Sequence, residues 1–421
     1  GTMKRNRASA FEWHPFSRKQ KQLLTWWMPK SPYRDYDIVI SDGAIRSGKT
    51  VAGIDSFITW SLHTFRGQNF IISGKSIGAL KRNVLRPTFQ MMAAKGIPYR
   101  YNRSEGYIEI GSNTYYTFGA NNEASQDVLQ GLTAAGAYAD EVALFPRSFV
   151  EQMIGRCSVE GSKIFMNCNP AGPYHYIKTD YIDRAEEKKI LRLHFTLDDN
   201  LTLSEEIKER YRRMFTGVFY QRNILGMWVM AEGVIYDMFD REKHVVPTRP
   251  RPYTQYYVSM DYGTQNPTTF GLWGLFNGVW YKVKEYHYDG RAEARQKTDE
   301  EYYEDLVEFV GNLPIRSLII DPSAASFITL VRKKGRFHVR KAKNDVLEGI
   351  RNVATALATG RIKYNDCCKE TFREFASYVW DQKAQEKRGE DVPLKQNDHH
   401  MDGDRYFVNT VVMRDSAISF D

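Results

Sequence analysis

The chain has 421 residues, 42% of them hydrophobic and 14% aromatic, enough for two or three ordinary cores and too much for a disordered chain. Its 59 Lys and Arg exceed 51 Asp and Glu by a formal charge of +8, a balance that favours a polyanionic partner. Four cysteines without a CxxC pair read as reduced thiols in a cytosolic compartment, and no run of about 18 apolar residues offers a membrane span.

The start, Gly1-Thr2-Met3-Lys4-Arg5, lacks the apolar core of a secretion signal, and Gly1-Thr2 reads as a remnant ahead of the native Met. Within Phe16-Ser17-Arg18-Lys19-Gln20, Gln20 either reads adenine by two hydrogen bonds or merely opens an amphipathic helix. From 37 to 200, short apolar runs alternate with helical patterns, the mark of a mostly parallel α/β sheet. Its strand candidates are Asp37–Ser41, Asn69–Ser73, Tyr107–Ile110, Tyr115–Gly119, Gly136–Ala139 and Lys163–Asn167.

After the first of these strands, Gly43-Ala44-Ile45-Arg46-Ser47-Gly48-Lys49-Thr50 fills the pattern G-x-x-x-x-G-K-[ST]. Glycines there let backbone N–H groups close around phosphates, and the helix that follows adds partial positive charge. Lys49 is expected to reach the β- and γ-phosphates of ATP and Thr50 to hold Mg²⁺; Arg46 contacts phosphate or faces solvent. Asp140-Glu141 follows Gly136-Ala137-Tyr138-Ala139, a strand that is weak by pattern. An Asp-Glu pair is commonly a solvated surface, but downstream of a P-loop Asp140 points to Mg²⁺ and Glu141 to the attacking water. Asn169, in Asn167-Cys168-Asn169-Pro170, either senses the γ-phosphate or forms an Asn-Pro turn.

Residues 203–228 read as helices, with Ser204 as N-cap. Pro247, Pro250 and Pro252 then mark a linker. Three strands follow, Tyr256–Tyr262, Thr269–Phe276 and Val279–Tyr288, with Asn277-Gly278 as a hairpin turn. Beyond them come a helix over 298–311, a buried strand Ser317–Asp321, and helices over 324–335 and 345–358. The charged stretch Asp381–Asp391 reads as the tip of an exposed hairpin between Phe375–Trp380 and Val392–Lys395. The expected division is 1–202, 203–252 and 253–421.

This second pattern carries acids at strand ends. Asp261 ends Tyr257-Val258-Ser259-Met260, Asp321 ends Leu318-Ile319-Ile320, and Asp402 lies in Asp398-His399-His400-Met401-Asp402-Gly403-Asp404. Two acids on neighbouring strands and a third on a terminal helix can converge on a pair of metal ions, which clamp the attacking and leaving oxygens of a phosphodiester. Hard oxygen ligands favour Mg²⁺ or Mn²⁺. His399, three residues before Asp402, can share its helical face as a further ligand. Asp398 and Asp404 are spare candidates, and Glu285 reads as a surface acid.

This order of P-loop ATPase, linker and metal-dependent nuclease resembles the large terminase subunit of tailed bacteriophages, over nearly the whole chain. The resemblance implies an α/β protein with an ASCE-type P-loop ATPase domain, on a mostly parallel sheet, followed by an RNase H-like mixed-sheet nuclease domain. It implies ATP-driven translocation of double-stranded DNA into a procapsid, and cleavage of concatemers. It also implies a portal protein and a small terminase subunit as partners, a homo-oligomeric ring, and the host cytoplasm as the place of work. Carried over, Gly43 to Thr50 with Gln20 bind ATP, Thr50 and Asp140 hold Mg²⁺, Glu141 is catalytic and Asn169 couples hydrolysis to movement. Asp261, Asp321 and Asp402 become catalytic ligands of a pair of ions, Mg²⁺ or Mn²⁺, with His399 secondary. Gly403 stands where the family usually has Ala. Gln130-Gly131 stands where an Arg is frequent, leaving Arg147 and Arg156 as alternatives for an arginine finger. The rival readings are a fused ATPase-nuclease of DNA repair or recombination, and a nucleotide-gated DNA-binding scaffold with a silent second domain.

Overall fold

The computed structural model describes residues 15–263 and 266–414, so the leader and remnant readings at the N-terminus lie outside the described residues. The chain forms two compact units. One runs to Arg210 and takes in Tyr220–Met230; the other comprises Tyr211–Phe219 and the chain from Ala231 on. The stretch 203–252 is thus shared between them.

The first unit is built on eight strands: β1 Ile38–Gly43, β2 Asn69–Gly74, β3 Arg100–Asn102, β4 Tyr107–Ile110, β5 Asn113–Gly119, β6 Gly136–Ala139, β7 Lys163–Cys168 and β8 Ile190–Phe195. Their order is β3-β4-β5-β2-β6-β7-β1-β8, parallel except where β3 and β4 fold back antiparallel. Sequence pattern places all but β3 and β8, which lack a long apolar run. Helices cover both faces: Phe57, Trp60, Phe70 and Phe165 form one apolar layer, and Phe118, Phe149, Met153 and Met166 the other. The small residues of β6 have a packing reason. A Cβ on Gly136 would lie 2.6 Å from the Trp60 ring and 2.9 Å from the Lys163 carbonyl.

One ionic interaction anchors the end of β1. The Asp42 carboxylate, fully buried, accepts two hydrogen bonds from Arg192 (2.9 and 2.9 Å), one from the indole of Trp228 (2.8 Å), and pairs with His194 Nδ1 at 3.1 Å. Burial alone would raise this carboxyl; the hydrogen bonds of Arg192 and His194 and the guanidinium charge hold it at about 2. β1, β8 and the 220–230 segment are thereby tied together one residue before the loop that starts at Gly43.

The second unit carries β9 Val245–Val246, β10 Tyr256–Asp261, β11 Thr268–Phe276, β12 Val279–Tyr288, β13 Ile315–Ile320, β14 Val339–Lys341 and β15 Ile362–Asn365, in the order β14-β13-β10-β11-β12-β15-β9. β10, β11 and β12 are antiparallel, turning at Asn277 and Gly278 with both φ positive (50° and 75°); the other pairings are parallel. This is the mixed sheet expected of an RNase H-like domain, and the chain as a whole has the expected α/β class. The helix His399–Phe407 lies across β10 and β11.

Two expectations fail here. The stretch 381–391 is no hairpin tip: Asp381 caps a short helix Gln382–Arg388, closed by left-handed Gly389, and a single bridge joins Trp380 to Pro393. Its Lys, Gln, Glu and Ala content suits a helix, and Ala384 and Gln385 are buried. Glu285 is half-buried and accepts from the backbone N–H groups of Glu370 (2.9 Å) and Thr371 (3.0 Å), capping the helix Lys369–Ser377. Among the described residues, no helix is long and apolar enough to cross a membrane.

The depressed carboxyl of Asp42 contributes stability on the order of 2 kcal/mol that is fully present above the unfolded value and lost as pH falls through about 2. Asp42→Asn is therefore expected to lower the urea midpoint at neutral pH, with the deficit narrowing between pH 4 and pH 2. A deficit independent of pH over that window would contradict the ionic account.

Candidate active sites

In the first unit the loop after β1 needs its glycines. Gly43 has φ +137° and a Cβ there would lie 2.0 Å from the Phe195 carbonyl oxygen; Gly48 has φ +87° and its Cβ would lie 2.3 Å from Gln20 Nε2. The loop is also held from outside. Ala44 N–H donates to the Phe195 carbonyl (3.0 Å), Ile45 N–H to that of Asn223 (2.8 Å), and Asn200 Nδ2 donates to the Arg46 carbonyl (2.8 Å). The Ser47 hydroxyl oxygen is buried with no hydrogen-bond partner among the described residues.

Gln20 lies beside this loop, buried. Its Nε2 donates to the Gly48 carbonyl (3.2 Å), and its Oε1 accepts from Ser17 N–H (2.9 Å) in a capping box for the helix Arg18–Thr25. One N–H and the oxygen of the amide are thus engaged, so Gln20 braces the loop and caps its helix.

Lys49 Nζ donates to the Ala44 carbonyl (2.8 Å) and to Asn169 Oδ1 (2.9 Å). Thr50 Oγ1 lies 3.5 Å from Asp140 Oδ1. Strand order explains both contacts: β7 sits between β6 and β1, so its C-terminal end faces the Asp140-Glu141 pair on one side and the loop on the other. Sequence reasoning singled out Asn169, just past the end of β7, but missed Asn167 inside the strand. Asn167 Nδ2 donates to Asp140 Oδ1 (3.0 Å) and to the Tyr138 hydroxyl (2.8 Å), while its Oδ1 accepts from Glu141 N–H (3.0 Å). Glu141 has a left-handed backbone, φ 59°, ψ 51°. The loop, Lys49, Thr50, Asp140, Glu141 and Asn169 thus converge. Arg147 is engaged by Asp180 (3.1 Å), and Arg156 ends the helix Arg147–Arg156.

In the second unit β10 delivers Asp261 to the sheet end, in register with Thr269 of β11. His399 Nδ1 pairs with Asp261 Oδ2 at 3.2 Å and its Nε2 lies 3.7 Å from Asp398 Oδ1. Asp402, one turn on, accepts from Arg405 Nη2 (3.3 Å). Arg405 Nη1 reaches the carbonyls of Asn344 (2.8 Å) and Asp345 (3.1 Å), and Asn344 Nδ2 donates to Asp321 Oδ2 (3.2 Å). Arg405 and Asn344 thereby join Asp402 to Asp321, while His399 joins Asp261 to Asp398, and Asp261 lies near enough for its charge to act on Asp402. A Cβ on Gly403 would meet only ordinary contacts at 3.8 Å, so Gly in place of Ala leaves the centre unaltered. Asp404 turns away, buried between Lys282 (2.7 Å) and Tyr364 (2.8 Å).

Burial, and then the charge of Asp261, push Asp402 up to about 7; burial also raises Asp261, with His399 opposing. His399 is raised against its own burial by Asp261. Asp321 is lowered: burial is outweighed by bonds from Ser323 and Asn344. A set of carboxylates that crowd one another and are short of compensating charge suits a hard divalent cation.

His287, Glu374 and His400 also lie together, with ligand atoms within 4.8 Å of one another. Lys282 Nζ, a donor only, lies 3.4 Å from His400 Nδ1, which assigns the ring proton to Nε2, bonded to His287 Nδ1 at 3.0 Å. Glu374 Oε1 accepts from His400 and Met401 N–H (2.7 and 3.2 Å). Both nitrogens of His400 and the Nδ1 of His287 are thus engaged by hydrogen bonds, and Glu374 holds the start of the helix His399–Phe407.

Comparison with known proteins adds the lineage. Residues 41–243 match the family model "Terminase large subunit, T4likevirus-type, N-terminal". The large terminase subunit of Escherichia phage T5 is 21% identical over 228 residues; the chain spans about half the length of that curated relative, 51% of it and 52% of itself. A solved large terminase from a thermophilic bacteriophage is 61% identical, covering 95% of this chain and 100% of that one at a TM-score of 0.93. The same thermophilic-phage protein in complex with ATP-γ-S matches at 60% identity over 94% and 100% of the two chains, with a TM-score of 0.90.

Asp402 is raised from 3.8 to about 7, so its ionisation costs stability that is fully felt above pH 7 and vanishes below pH 4. In chelator-treated protein, Asp402→Asn is expected to raise the melting temperature at pH 8 and to leave it unchanged near pH 4. A lowered melting temperature at pH 8 would contradict this charge crowding.

Proposed function

The chain belongs to the large terminase subunit family, and on that premise we propose that it is an ATP-driven motor that pumps double-stranded viral DNA into a procapsid and cuts the concatemer with its own nuclease. The observation that carries this reading is the pairing of two finished constellations in one chain. Lys49, Thr50, Asp140 and Asn169 meet in one unit, and Asp261, His399 and Asp402 in the other. The thermophilic-phage relative, solved with ADP and with ATP-γ-S, supports a nucleotide on Gly43–Thr50.

ATP phosphates would sit against the loop, with Lys49 transferred from Ala44 and Asn169 to the β/γ oxygens. Asn169, relieved of Lys49, then reports nucleotide to the rest of the protein. Thr50 and Asp140 would hold Mg²⁺, and Glu141 orients the attacking water and accepts its proton. Asp261, Asp321 and Asp402, with His399, would hold two Mg²⁺ or Mn²⁺ ions. Cations at these sites supply positive charge to the phosphoryl oxygens under attack. The basic balance of the chain serves DNA through phosphate contacts, so binding should weaken steeply with salt. A ring of copies, a portal protein, a small terminase subunit and the host cytoplasm complete the reading.

Purified protein, procapsids and ATP should protect DNA from added nuclease; failure to protect would favour a repair or recombination enzyme. Lys49→Ala should abolish ATP turnover while leaving the nuclease intact. Asp261→Ala should abolish plasmid degradation with Mn²⁺ and spare ATP turnover; undiminished degradation would remove Asp261 from the nuclease.

A further inference from the structure

We propose that Asn167 is the positioning residue of the ATPase centre, holding both acids of the Asp140-Glu141 pair through one amide; the inference rests on the ATPase reading above. The parallel pairing of β6 and β7 ends at Ala139 and Met166. Beyond it, Glu141 N–H finds its acceptor in the side chain of Asn167 at 3.0 Å. The amide thereby stands in for a ladder bond where the backbone diverges.

That substitution matters because Glu141 is left-handed at φ 59°. A non-glycine residue held there costs about 1–3 kcal/mol and persists only where its surroundings over-determine it. The same amide donates to Asp140 Oδ1 at 3.0 Å and to the Tyr138 hydroxyl at 2.8 Å, and Tyr138 donates in turn to Asp140 Oδ1 at 3.4 Å. Asn167 is only 4% exposed. Its oxygen holds the backbone of the water-orienting residue, and its nitrogen holds the carboxylate assigned to metal. Only a carboxamide of this length offers an acceptor and two donors at that spot. Aspartate would keep the acceptor but place a second carboxylate 3.0 Å from Asp140 Oδ1. A longer Gln would carry the amide past both partners. Asn169 faces Lys49 from the same strand end.

The test is a double-variant cycle on ATP turnover in the full chain, with Lys49→Ala as control. Asn167→Leu should lower kcat about a hundredfold, the order expected for a catalytic group misplaced by about 1 Å, while ATP-γ-S affinity is retained. If Asn167→Leu does not fold, Asn167→Asp keeps the volume and one acceptor and is expected to act in the same direction. Added to Glu141→Gln, either substitution should cost less than it costs alone, because the part of its effect that runs through Glu141 is already lost and only the part that runs through Asp140 remains. Additive losses, or wild-type kcat in the single variant, would overturn the proposal. Turnover that survives Lys49→Ala would instead overturn the ATPase reading.

Discussion

A charge taken wholly out of water must be paired or the fold does not tolerate it. Asp42 is such a charge, and its position makes it consequential: the next residue opens the loop Gly43–Thr50, the candidate phosphate site. Four donor groups satisfy it, drawn from β8 and from the 220–230 segment. Because those donors are far apart in sequence, the carboxylate fixes where the strand end lies relative to both. The loop inherits that placement through the carbonyls of Phe195 and Asn223. Breaking the pairing would leave an uncompensated charge behind Gly43, so the geometry of the loop and the stability of its surroundings are one matter.

The two centres solve opposite electrostatic problems. The first is built to receive negative charge. It holds a buried lysine, glycines that bring backbone close, and neutral amides that keep the acids in place. The second is built to receive positive charge. Asp261 and Asp402 are pushed upward by burial and by one another, and His399 and Arg405 only partly compensate. Arg405 also binds the loop at Asn344, so one guanidinium links the terminal helix to the residue that holds Asp321. The neighbouring relay of Lys282, His400 and His287 stiffens the helix from below.

Much of this was legible in the chain because short-range chemistry leaves short-range marks. The loop from Gly43 to Thr50, the acids after apolar strands, the Asn277-Gly278 turn and the Ser204 cap are local patterns with local causes. Errors arose where a residue's role depends on a distant partner. Glu285 reads as a surface acid until the helix Lys369–Ser377 starts above it. The brace from Gln20 to the Gly48 carbonyl is likewise invisible to a local pattern. Asp381–Asp391 reads as a charged tip until its helix buries Ala384 and Gln385.

The sequence by itself determined the class of fold and marked the loop from Gly43 to Thr50, the Asp140-Glu141 pair, and Asp261, Asp321 and Asp402 as candidates. Each is written as a residue type beside an element boundary, and periodicity reveals boundaries. Tertiary structure alone decided which residues hold these groups in place. Asp42, Arg192, Trp228 and Asn344 carry no motif, and Asn167 and Arg405 lie in quoted segments that do not announce their contacts, because their work is to meet a partner that the sheet order brings near. A hydrogen bond over 150 residues of chain depends on strand order and register, and neither is encoded in the spacing of any one segment.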